Sequence, residues 1–433
     1  MLSSEQHVLI VGAGTFGLST GVELLRKGHR NVTILDPYPV PSPLSAGNDV
    51  NKIIQTTVED KFYSELATES FEKWTTDPLY KPAFHETGII YGATSKDAVA
   101  EIQRRKEILK KSGEEITDLN SPEDFGHLIR VEKEPNAQRF QNWKGYHQKH
   151  RCGWAFAALA LRLVGAECVK LGAKIIMDSV EELLMDDTGT CVGVRTFSGK
   201  SIYADKVVLC AGANSIRILD FKGQLVAKCW TVGHIKLTDE ESRVLNNSPV
   251  VLNISEGFFF EPDQNNELKF CNEFPGYINM VEDVKHSEGA ISVPVYKDMI
   301  PKEAELQMRS FLNQVFPQLA NRNFVRAKIC WCTDTSDRHF LFGEHPAYKN
   351  LILGTGDSGK GFKYMPISGE YISTIVLEGS QALSSEKREA WRWRPESAVP
   401  RDVRATQGRY GGTNVVKDLK DITEWTNGKV NKL

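Results

Sequence analysis

With 433 residues, 41% hydrophobic and 25% charged, and a formal net charge of −3, the chain is too long for one core and reads as a soluble protein of two or three domains. No Lys/Arg-rich stripe marks a nucleic-acid surface, and the longest apolar run, Trp154–Leu161, falls far short of the roughly twenty residues that cross a membrane. The first strand starts close to Met1, leaving no room for a signal peptide, and the eight cysteines follow no disulfide rhythm and read as reduced thiols.

Val8–Val11 is a continuous apolar run, as expected of a parallel strand buried on both faces. Gly12-x-Gly14-x-x-Gly17 follows at once, then a helical pattern with Leu18, Val22 and Leu25 on one face, stopped by Gly28. Val32–Leu35 is a second strand and ends in Asp36. Strand, glycine turn, helix and terminal acid together predict a dinucleotide-binding βαβ unit. Gly12 permits the tight turn, Gly14 lets a pyrophosphate approach the backbone, and Gly17 brings helix and strand close. The helix N-terminus supplies free N–H donors to phosphates, and Asp36 can accept both ribose hydroxyls.

A proline-rich loop follows and leads through Ser45–Asp49 into Val50–Gln55, where the crevice beside the unit should open. Phe62–Thr75 and Ala98–Ser112 read as helices and Glu86–Tyr91 as a strand, so residues 60–149 look like an insertion that leaves the nucleotide fold. His147, His150 and Cys152 lack a fourth ligand at metal spacing and read as solvated loop residues, so no metal is expected. Trp154–Leu171 reads as one long helix. Lys174–Met177, Val180–Leu184, Cys191–Phe197 and Ser201–Tyr203 read as strands, and Asp205–Leu209 as an apolar strand ending in the small-residue turn at Gly212. Such a strand and turn return beside the first βαβ unit in flavin-binding folds; a chain that only binds NAD has no need of them.

Trp230–Leu237, Val250–Ile254, Gly257–Pro262, Leu268–Glu273 and Gly289–Val295 suggest an antiparallel sheet in a second domain. Lys302–Phe316 reads as a helix, Leu351–Gly354 as a strand entering a glycine-rich run up to Gly361, and Ile367–Glu378 as a helix. The expected architecture is α/β plus α+β: a Rossmann-like domain from residues 1–59, 150–222 and 325–400, and a second domain from 60–149 and 223–324 on an antiparallel sheet. Residues 401–433 form a C-terminal segment.

Four further stretches, SAGNDVNKII (45–54), LKFCNEFPG (268–276), CWCTDTSDRHF (330–340) and GDSGKGFKYMPISGE (356–370), make the chain resemble the FAD-dependent amine oxidases of the D-amino-acid oxidase and monomeric sarcosine oxidase superfamily. Within it, the chain is most similar to the fungal fructosyl amino acid oxidases, or amadoriases. The resemblance implies FAD held by Gly12, Gly14, Gly17, Asp36, Lys52, Val180, Gly212, Gly359, Gly361, Phe362 and Lys363. It implies a covalent bond from Cys330 to the flavin; Cys332, two residues further along a strand, is expected to face the other side. Lys269 matches the lysine that helps O2 react, where an ammonium stabilises nascent superoxide. Lys363 matches a substrate-carboxylate residue, and Lys52 and Ile53 fall where relatives face the substrate. Gln55 stands where sarcosine oxidase has a carboxylate-binding arginine, which points to a bulkier, sugar-bearing amine.

Lys269 and Glu273 are four residues apart and share a strand face. Glu273 looks like the acid that amadoriases use, with a C-terminal arginine, to grip the charged end of the substrate. Arg409 is the expected partner and Arg404 the second candidate; an interdomain salt bridge would explain such a pair as well. The implied reaction is oxidative deglycation of a fructosyl amino acid to the free amino acid, a 2-ketoaldose and H2O2. Oxidation of sarcosine, L-pipecolate or saccharopine is the alternative. The C-terminal Asn431-Lys432-Leu433 differs at one position from a peroxisomal signal, so an import receptor is an expected partner of an otherwise monomeric chain, with the cytoplasm the other location.

Overall fold

The computed structural model describes residues 3–56, 60–129, 139–412 and 415–426. Two sheets organise it. The first has the strand order Leu341–Glu344, Leu351–Thr355, Lys206–Leu209, Val8–Val11, Val32–Asp36, Lys174–Met177, all neighbours parallel except the first pair. Val8–Val11 sits inside this sheet and is buried along its whole length, which is why its residues are uniformly apolar. The helix Thr15–Arg26 leaves the end of that strand through Gly12, whose φ of +106° a side chain would oppose. A Cβ at Gly17 would lie 1.8 Å from the Gly12 carbonyl oxygen, so helix and turn touch only because position 17 is glycine.

The second sheet contains ten of the described strands. Its path runs Lys417–Asp418, Tyr277–Ile278, Leu225–Lys236, Glu267–Asn272, Gly257–Phe259, Val250–Asn253, Ile89–Ala93, Lys144–Gln148, Ile116–Leu119, and Phe324–Thr335 also pairs with Leu225–Lys236. It is not purely antiparallel: Val250–Asn253 runs parallel to Ile89–Ala93, and Tyr277–Ile278 parallel to Lys417–Asp418. Helix Lys302–Val315 covers one face with Met308, Phe311 and Leu312, all fully buried.

Three expectations need correction. Trp154 and Ala155 lie in a strand, Cys152–Ala155, which pairs with Lys52–Gln55; the helix starts only at Ala157. Apolar content alone does not separate a buried strand from the start of a helix, and here the two abut. Cys152 on that strand is fully buried rather than solvated in a loop. Ala290–Ser292 pairs with Met280–Glu282 in a separate hairpin and does not join the large sheet. In addition, Tyr63, Leu66 and Trp74 of helix Lys61–Thr76 share an apolar cluster with Val8 and Ile10, so residue 60 does not divide two cores.

Candidate cofactor and substrate site

Between the two sheets lies a cavity of about 970 Å³. Its wall includes Gly12, Gly14 and Asp36 from the fingerprint, and Val180 and Gly212 from the segments that return beside it. Gly17 is not on the wall; it acts from behind, through the close approach to Gly12. The helix Thr15–Arg26 has Gly14 as its N-cap and no side chain capping that end, so its first N–H groups remain for a ligand. Asp36 accepts hydrogen bonds from the N–H groups of Ala13 (2.9 Å) and Tyr38 (3.1 Å), and burial raises its pKa against those bonds.

The glycine-rich run lines the cavity with Gly359, Gly361, Phe362 and Lys363. Asp357 ties this loop to the long strand by accepting from the Thr333 N–H (2.8 Å) and hydroxyl (3.0 Å). Burial pushes the Asp357 carboxyl up to about 6 despite those donors. The Lys363 carbonyl accepts from Ser70 Oγ (2.6 Å) and Trp74 Nε1 (2.8 Å), which fixes the backbone where the loop turns into helix Met365–Glu378.

On the second sheet, strand Glu267–Asn272 brings Lys269 to the wall. Its Nζ donates to Asp49 Oδ2 (2.6 Å) and to the Asn51 carbonyl (2.9 Å) and lies 5.1 Å from the centre of the Phe260 ring. Asp49 also pairs with Lys52 at 2.9 Å. Burial alone would raise Asp49, but the two ammonium groups hold it well below the usual carboxylate range. Burial lowers Lys269, with Asp49 opposing, whereas Lys52 is raised because Asp49 outweighs its burial. Ile53 and Gln55 also reach the wall, and Gln55 Oε1 accepts from the Tyr91 hydroxyl, so that neutral side chain is already engaged.

Cys330 and Cys332 both line the cavity. Cys332 therefore does not turn away: along a strand, residues two apart share a face. Cys330 is partly exposed, whereas the other seven cysteines are buried.

Glu273 and Arg409 reach the cavity together, but not as the expected pair. Arg409 donates to Asp334 through Nη1 (2.8 Å) and Nη2 (2.9 Å), and among the described residues no ion pair joins it to Glu273. Burial pushes the Glu273 carboxyl up to about 7, while Arg409, Arg105 and Arg338 pull it the other way. A Cβ at Gly411 would fall 1.3 Å from the Glu273 carbonyl oxygen, so the C-terminal segment passes Glu273 only as glycine. Arg404 is not on the wall; it donates to the Val416 carbonyl at 3.0 Å. Asp49, Asp334, Arg105 and Arg338 were not singled out from sequence. Asp49 lies inside the motif SAGNDVNKII, and Asp334 and Arg338 inside CWCTDTSDRHF, so position in a motif was the available signal; Arg105 sits in a segment with none.

The residues fit FAD on the structure's own terms. Asn51 Oδ1 and Thr355 Oγ1 are buried with no hydrogen-bond partner among the described residues and belong to residues of this wall, as a cavity built for a polar cofactor requires. The uncapped helix end suits a pyrophosphate and Asp36 a ribose.

Comparison with known proteins agrees. Residues 7–375 match the family model described as DAO, FAD dependent oxidoreductase. L-Saccharopine oxidase of Schizosaccharomyces pombe is 33% identical, the match covering 96% of this chain and 98% of that protein. The crystal structure of fructosamine oxidase (Amadoriase II) from Aspergillus fumigatus in complex with FSA is 40% identical with a TM-score of 0.91, covering 99% of this chain and 98% of the other. Fructosyl amine:oxygen oxidoreductase (Amadoriase I) of the same species is 38% identical with a TM-score of 0.91 and 98% coverage of both chains. Since the family model spans most of the chain and the cavity has the groups its cofactor needs, the chain belongs to the DAO family of FAD-dependent oxidoreductases.

Proposed function

We propose that the chain oxidatively deglycates fructosyl amino acids, giving the free amino acid, a 2-ketoaldose and H2O2. The observation that carries this reading is Arg409 on the cavity wall. It comes from the C-terminal segment and supplies a carboxylate anchor that Gln55, neutral and bonded to Tyr91, does not. The likeness to two fructosyl amine oxidases over nearly the whole chain supports it.

FAD, when bound, supplies the two-electron oxidation of the carbon–nitrogen bond and passes the electrons to O2. The protein's part is orientation and charge. Lys269 keeps an ammonium in a dry site, where it stabilises negative charge developing on oxygen. Lys363 and Lys52 stand on the wall as cations for the substrate or cofactor, and Glu273 as a carboxyl near neutrality. Cys330, the partly exposed thiol, is the proposed site of a covalent link to the flavin. A discontinuous division into a cofactor domain (1–59, 150–222, 325–400) and a substrate domain (60–149, 223–324) remains part of this proposal, with helix Lys61–Thr76 moved to the cofactor side and residues 401–412 over the site. So do the monomeric state and a peroxisomal address at Asn431-Lys432-Leu433, which lies outside the described residues.

Oxidation of saccharopine is the second reading, favoured by the 33% identical relative. Peroxide release measured on α-fructosyl-valine, ε-fructosyl-lysine, saccharopine, L-pipecolate and sarcosine decides. Turnover of saccharopine with none of either fructosyl amine would replace the proposal. Acid precipitation tests the link: the parent pellet is expected to stay yellow, Cys330→Ala to lose its colour to the supernatant, and Cys332→Ala to keep it. Equal retention by both variants removes Cys330 from the role.

A further inference from the structure

The long antiparallel pair Leu225–Lys236 and Phe324–Thr335 keeps regular register in its first part: Trp230 faces Cys330, Lys228 faces Cys332 and Val226 faces Asp334. The period of two puts Trp230, Lys228, Cys330, Cys332 and Asp334 on one face. Arg409 lies on that face. Its guanidinium sits 4.6 Å from the centre of the Trp230 ring and gives both arms to Asp334. The Asp334 side chain has no solvent exposure, and that of Arg409 has 10%. Lys228 Nζ stands 3.5 Å from the same carboxylate and donates to the Ala405 carbonyl at 2.9 Å. Arg401 donates to the Asp334 carbonyl at 2.7 Å. A buried carboxylate is thus fixed at its backbone and its head, and it presents a planar fork to the one cation that also borders the cavity.

We infer that Asp334 is the positioning residue for Arg409, setting the angle at which the guanidinium meets the carboxylate of the substrate and so conferring preference for carboxylate-bearing amines. The inference rests on the proposed role of Arg409 in gripping that carboxylate. Two features favour a positioning role over simple charge neutralisation. Lys228 shares the carboxylate, so Asp334 does not cancel Arg409. The bond is two-armed, which fixes a plane rather than a distance. Asp334 also follows Cys330 by four residues on one strand, about 13 Å along it, so a single rigid element spaces the thiol from the anchor of the carboxylate. Glu273, with no ion pair to Arg409, is free of this task.

The test compares α-fructosyl-valine with its valinamide counterpart, which has the same size and no carboxylate, in holoenzymes carrying Asp334→Asn, Asp334→Glu and Arg409→Ala. Flavin content and unfolding midpoint are recorded for each. Asp334→Asn is expected to raise KM for the acid at least tenfold, with kcat within about twofold and the amide little changed; kcat/KM is compared as well. Asp334→Glu keeps the charge but moves the fork, and is expected to raise KM for the acid about threefold or more, again sparing the amide. If the Asn variant does not fold, the Glu variant carries the test. Equal effects on acid and amide, or none on either, in an Asp334 variant that folds would overturn the positioning role. Should Arg409→Ala discriminate acid from amide while both Asp334 variants do not, the anchor stands and the positioning role falls. Should Arg409→Ala show no discrimination, the anchor itself fails, and this inference with it.

Discussion

Lys269 is a cation with almost no solvent: its side chain is 3% exposed and its Nζ lies 2.6 Å from Asp49. The Lys269 and Lys52 ammonium groups hold Asp49 well below the usual carboxylate range against its burial, and burial lowers Lys269 against the attraction of Asp49. Lys269→Met is therefore expected to slow reoxidation by O2 about a hundredfold, roughly 3 kcal/mol, and to slow anaerobic reduction by substrate far less. Stopped-flow measurement of the two half-reactions checks this; reoxidation at the parent rate would place Lys269 outside the oxygen site. Glu273 is the converse case, a carboxyl with no ion-pair partner among the described residues, pushed by burial from 4.5 up to about 7. An acid whose folded pKa is raised contributes stability that is complete below its unfolded pKa and is lost as pH rises through the folded one. Glu273→Gln is thus expected to be more stable than the parent at pH 8, by on the order of 2 kcal/mol, with the gap closing toward pH 4. Denaturant midpoints at the two pH values give the sign, and a variant less stable at pH 8 would show that Glu273 has an attractive partner.

At the scale of elements, the helices Thr15–Arg26 and Met365–Glu378 cross in close contact, and the contact is made by a missing side chain. Ser19 Oγ donates to the Met365 carbonyl at 2.5 Å and accepts from the Gly369 N–H at 2.8 Å. A Cβ at Gly369 would stand 2.0 Å from the Ser19 carbonyl oxygen. Gly369→Ala is expected to cost about 1–3 kcal/mol by forcing the helices apart, lowering the unfolding midpoint. Since the first helix starts at the cavity wall and the second follows directly on the wall residues Phe362 and Lys363, flavin content should fall too, and an unchanged midpoint would mean the crossing adapts. Both helices were legible in the sequence, the first from its periodicity and from Gly28, but nothing local announces that Ser19 and Gly369 meet. The strand Cys152–Ala155 was illegible for a related reason. Trp154 and Ala155 continue an apolar run into a helix, and only pairing with Lys52–Gln55 fixes their conformation.

At the scale of the molecule, the parallel sheet gathers strands from three separate regions of the chain, and the second sheet closes the cavity from the other side. The sequence by itself determined what depends on neighbours along the chain: the βαβ unit with Asp36 at its end, the glycine-rich run through Gly361, and the motifs that bring Cys330, Lys269 and Lys363 to the cavity. Turn chemistry, side-chain period and capping are local, so local sequence carries them. Tertiary structure decided who pairs with whom. Lys269 found Asp49, 220 residues earlier, and Arg409 found Asp334 rather than Glu273. Cys332 came to the same wall as Cys330 by strand geometry, yet remained the more deeply buried of the two. Charges attract over several ångströms with little dependence on residue type, so a sequence holding 56 carboxylates and 53 cations leaves many pairings open. Burial closes most of them, because a carboxylate without solvent, such as Asp334, must be met by the donors that the fold brings within hydrogen-bonding reach.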